Sequence, residues 1–107
     1  MRQELLALIT FPSREEALAT AQTLVDEKLA ACINLTGPVS SIYRWQDQVE
    51  SAPEWLALVK TNRASFDALT QRVKDLHSYS VPEIIGLELA AIESEYSRWL
   101  LGQLKIS

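Results

Sequence analysis

Apolar positions along the chain switch between two spacings, and the switches mark its elements. Leu5-Leu6-Ala7-Leu8-Ile9-Thr10-Phe11 is a continuous apolar run closed by Pro12, as expected of a central strand covered on at least one face. Ser13 then stands three residues before Glu16. That spacing predicts a helix start in which the Ser hydroxyl takes an orphan amide and the Glu carboxylate answers in return. Ala17, Leu18, Ala21, Leu24, Val25 and Leu29 fall on one face of this first helix. A second extended segment begins at Ala31-Cys32-Ile33-Asn34-Leu35, passes Gly37-Pro38 and runs on to Trp45. Gln46-Asp47-Gln48 reads as a reversal, and Val49 to Thr61 returns with Trp55-Leu56-Ala57-Leu58-Val59 at its centre. This predicts a long β-hairpin, bent where Pro38 and Pro53 remove ladder donors. Phe66, Leu69, Val73 and Leu76 repeat at helical spacing and predict a second helix. Pro82 restarts an extended run from Ile84 to Ile92, and a short terminal helix follows with Tyr96, Trp99 and Leu100 on one side.

The order is β-α-β-β-α-β plus a C-terminal helix. Right-handed split βαβ units then give a four-stranded antiparallel sheet in the spatial order four-one-three-two, with both main helices on one face. The expected fold is a ferredoxin-like α+β sandwich, one domain over residues 1–107.

The hairpin adds an expectation about assembly. Each arm holds about 13 to 15 residues, or roughly 45 Å at ~3.3 Å per residue. A globule of this size is only roughly 35 Å across, so the tip must project beyond its own sheet. The projecting part carries Tyr43, Trp45 and Val49, groups that cost free energy when left in water. Docking on neighbouring subunits follows, set against a solvated arm with scattered aromatics.

Composition narrows the class. The chain of 107 residues is 48% hydrophobic and 22% charged with three Gly and four Pro, which excludes a disordered or fibrous protein. Ten Lys and Arg against 14 Asp and Glu leave a net charge of −4, so no cation excess exists to displace phosphate counterions, and nucleic acid is not an expected partner. No apolar run approaches a membrane span, and Leu5 to Phe11 is too short for a signal segment. Cys32 is alone, so no intramolecular disulfide can form. A cytoplasmic protein is the expectation.

Several blocks of residues are similar to a known family. Ala31-Cys32-Ile33-Asn34, Ser41-Ile42-Tyr43-Arg44-Trp45, Lys60-Thr61, His77-Ser78-Tyr79-Ser80-Val81-Pro82-Glu83 and Tyr96-Ser97-Arg98-Trp99-Leu100 resemble, in order and separation, the CutA family of divalent-cation tolerance proteins. The resemblance spans nearly the whole chain. It implies a ferredoxin-like homotrimer held by interlocked long hairpins, a link to tolerance of divalent metals such as copper, and a trimer similar to the PII signalling proteins. Two positions depart from the family pattern: Gly37-Pro38 stands in place of Pro-Gly, and Asp47 occupies a hairpin tip where Gly is usual. Asp accepts left-handed backbone better than most residues, so the turn is expected to survive.

Candidate chemistry is sparse. Cys32 is the only thiol and His77 the only imidazole, the donor types that copper and zinc prefer. Cys32 equally suits a small buried apolar role at a strand start, and His77 equally suits capping of the second helix. No CxxC, HxH or HxxxH pair is present, so a tight four-ligand site within one chain is not expected. The topology also separates Cys32 from His77, which makes a shared metal site an inter-subunit matter. His77, Tyr79 and Glu83 form a second constellation, readable as a cation or acid/base site or as a rigid corner stiffened by Pro82. Lys60 and Thr61 precede the second helix, whose N-terminus could receive an anion or simply be capped.

The leading expectation is a trimeric, non-enzymatic metal-tolerance protein. Its metal donors would be His77, Glu83 and Cys32, with copper or zinc bound weakly and no obligatory cofactor. The rival is a PII-like trimer that senses a small anion at subunit clefts through Lys60, Thr61 and Tyr79. An acid/base enzyme using His77 and Glu83 comes third.

Overall fold

β1 (Glu4–Phe11) lies inside a four-stranded antiparallel sheet, and every other element is placed by it. The computed structural model describes residues 3–106. After β1 come α1 (Arg14–Asp26), β2 (Cys32–Trp45), β3 (Gln48–Asn62), α2 (Phe66–Leu76), β4 (Ile84–Glu88) and α3 (Ser94–Gly102). The strand order is β2-β3-β1-β4, as the split βαβ reading predicts.

Strand alternation sorts β1 into two faces. Ala7, Ile9 and Phe11 point to one side, where they meet Ala57 and Val59 of β3, Ala17 and Leu24 of α1, and Leu69 and Val73 of α2. Phe11 is fully buried there, worth roughly 2–3 kcal/mol of transfer free energy. The opposite face carries Leu6 and Leu8 of β1. In register, Leu8 stands between Leu58 of β3 and Ile85 of β4, Leu6 between Lys60 and Leu87, and Leu56 follows on β3 beside Thr10. Among the described residues no helix covers this middle stretch, and Ile85 and Leu87 are each 45% exposed.

The first helix starts as expected at Ser13, whose hydroxyl accepts from the Glu16 amide at 3.2 Å. The reciprocal half of the box is not made. The Glu16 carboxylate reaches instead to the amide of Ser78, 3.0 Å away in the loop after α2. The buried stripe of α1 is Ala17, Thr20 and Leu24, while Leu18 and Val25 face outward. Small side chains at 17 and 20 let the helix lie close to the sheet, which turns the larger Leu18 and Val25 aside. These two line a shallow groove with Ile33 and Leu35 of β2.

The arms of the hairpin are 14 and 15 residues long, and the molecule measures 44 × 26 × 22 Å. Its tip is a two-residue turn with Gln46 at φ 49° and Asp47 at φ 64°. Both values lie in the left-handed region that twisted hairpins require, and Asp47 adopts it as expected. Lower down, the register slips between Thr36 and Val39, so Gly37 and Pro38 together oppose Trp55 as a β-bulge. The Gly37–Pro38 bond is cis. The Trp55 ring lies against Gly37 so closely that a Cβ there would fall 2.3 Å from its Cδ1.

The C-terminal region departs from expectation in two respects. β4 ends at Glu88 rather than at Ile92, its pairing with β1 running from Ile9↔Ile84 to Leu5↔Glu88. Ile92 turns instead into a small second core with Leu100, Leu104 and Ala31. On α3 only Leu100 is buried; Tyr96 and Trp99 are exposed, their rings 5.4 Å apart. Glu93 caps this helix, accepting from the amides of Glu95 and Tyr96, and those bonds hold its carboxyl below the usual range.

Candidate functional site

The segment that follows α2 is held by its own polar groups. His77 is buried, stacked on Phe11 at a centroid distance of 4.8 Å. Its Nε2 lies 2.7 Å from the carbonyl oxygen of Thr10. A carbonyl only accepts, so Nε2 carries the proton. Nδ1 is then the acceptor, and the Tyr79 amide donates to it at 3.0 Å. Glu16 stands 3.5 Å from Nδ1 on the other side.

These bonds deliver Tyr79 to β3. Its hydroxyl donates to Oε2 of Glu54 at 2.8 Å. Burial, first, and the carboxylate beside it push the phenol up to about 12. Glu54 is only 7% exposed, although it is a carboxylate. Together these groups form the base of a cleft of about 740 Å³ between the hairpin and the loop that leads to β4. Tyr43, Arg44 and Trp45 come from one wall, Glu50 and Glu54 from the returning strand, and Ser80 to Glu83 from the loop.

The residues expected from sequence fall into three places. Tyr79 and Glu83 both line the cleft, Glu83 exposed on its wall, while His77 reaches it only through its bond to the Tyr79 amide. Both nitrogens of His77 are hydrogen-bonded, so a metal could take the ring only by displacing Thr10 or the Tyr79 amide. Cys32 lies elsewhere: it pairs with Lys60, whereas Thr10 pairs with Leu56, four residues further along β3. That is roughly 13 Å along the strand, in line with the expected separation. Among the described residues no three His, Cys, Asp or Glu side chains are grouped to hold a metal ion.

Lys60 and Thr61 do not form an anion site with α2. Lys60 points to the open face, within 4.0 Å of the Cys32 sulfur and hydrogen-bonded to Asn34. The packed face of α2, through Leu69 and Val73, is on the other side of the sheet. Thr61 is fully buried and donates to the Leu29 carbonyl at 2.8 Å. The start of α2 is closed by Asn62, which accepts from the Ser65 amide at 2.9 Å and donates to the Ile106 carbonyl at 2.8 Å. Strand alternation is the reason: adjacent residues 60 and 61 must face opposite ways.

Sequence reasoning passed over Glu54, Glu16 and Thr10. Glu54 had a signal. It falls in phase with Leu56 and Leu58 on an apolar strand, where an acid is out of character. Thr10 contributes its main chain and had none.

Comparison with known proteins agrees on one family. A family model described as CutA1 divalent ion tolerance protein matches residues 5–103. The divalent-cation tolerance protein CutA of Thermus thermophilus is 50% identical over 97 residues, covering 91% of this chain and 94% of that protein. The chloroplastic CutA protein of Arabidopsis thaliana is 36% identical over 90% of this chain, which spans about half (53%) of that longer relative. Among solved structures, CutA1 from Oryza sativa superposes with a TM-score of 0.95 at 34% identity, covering 98% of this chain and 96% of that one. The Thermus thermophilus protein gives 0.93 at 48% identity, covering 94% and 98%.

Proposed function

The chain belongs to the CutA1 divalent ion tolerance family, and from that premise we propose that it acts as a homotrimeric metal-tolerance protein that binds ions such as copper weakly and exchangeably. It is a binding protein in this reading, at work in the cytoplasm, with metal donors completed across subunit boundaries.

The uncovered sheet face carries the argument for assembly. Leu6, Leu8, Leu56, Leu58, Ile85 and Leu87 form an apolar patch on the side away from α1 and α2, with Lys60 and Thr10 at its margins. The hairpin beyond it holds Ile42 at 75% and Trp45 at 49% exposure. A patch of this kind on a small domain is what a subunit interface requires. Neighbouring copies seated on that face would cover both the patch and the aromatic arm.

The donor set supports a reading of weak, exchangeable binding. Cys32 is half-buried on the same open face, beside Lys60, and offers one soft ligand per chain. Glu83 offers a hard oxygen at the cleft wall, and His77 joins only by giving up a hydrogen bond. One chain cannot complete four-ligand coordination from these groups. Calorimetric titration with Cu²⁺ and Zn²⁺ tests the reading. Saturable binding that weakens in Cys32→Ser and in Glu83→Gln is expected. Identical heats in the parent and both variants would leave the metal association indirect.

A further inference from the structure

We draw no further inference here: the strongest candidate, the shallow groove between α1 and β2 lined by Leu18, Val25, Ile33 and Leu35, is an unpartnered apolar face, and nothing in the structure shows what covers it.

Discussion

The Nε2 of His77 donates to the main-chain oxygen of Thr10 across 2.7 Å, which pins the loop after α2 to the central strand. The ring is therefore a structural strut first. His77→Ala removes a buried hydrogen bond and the stack on Phe11, and we expect a loss of roughly 2–4 kcal/mol in urea unfolding. A midpoint unchanged from the parent would show that Thr10 and Phe11 do not depend on the ring.

Gly37 faces the indole of Trp55. Any Cβ at that position meets Cδ1 at 2.3 Å, so the ring or the bulge must move. Gly37→Ala should cost about 1–3 kcal/mol, the range for overpacking. The melting temperature of the variant checks this, and a melt equal to the parent's would show that the bulge yields freely.

Tyr79 supplies a pH signature. Its phenol is pushed up to about 12 by burial and by Glu54, whereas the unfolded chain titrates near 10. Between these values the unfolded state holds fewer protons than the folded state, so stability must fall as pH rises through that window. Below about pH 10 the contribution is fully present. Tyr79→Phe should flatten the alkaline decline, read from urea midpoints at several pH values. It should also remove the last tyrosinate absorbance step. An alkaline profile identical in parent and variant would contradict the assignment.

Most of the fold was legible because apolar period alone separates its elements. β1, the hairpin and α2 follow directly from Leu5 to Phe11, from the two long apolar arms, and from the spacing of Phe66, Leu69, Val73 and Leu76. The inner stripe of α1 was not legible, since Ala17 and Thr20 win the buried positions over Leu18 and Val25 by being small. The site was legible only in its side-chain part. His77, Tyr79 and Glu83 are near in sequence, and Tyr79 joins the other two, bonding to His77 and lining the cleft with Glu83. Their partners Thr10, Glu16 and Glu54 arrive from other elements, and strand parity decides which of them arrive. The same parity separates Lys60 from Thr61, which no composition argument can show.

Assembly is the claim on which the proposed function rests, and the mass of the protein in solution tests it most directly. The apolar patch from Leu6 to Leu87 and the exposed Trp45 arm call for association, and the family resemblance sets the expected number of subunits at three. Sedimentation equilibrium at micromolar concentration should then give three times the 12.0 kDa of the chain. A single species at 12.0 kDa would contradict the account.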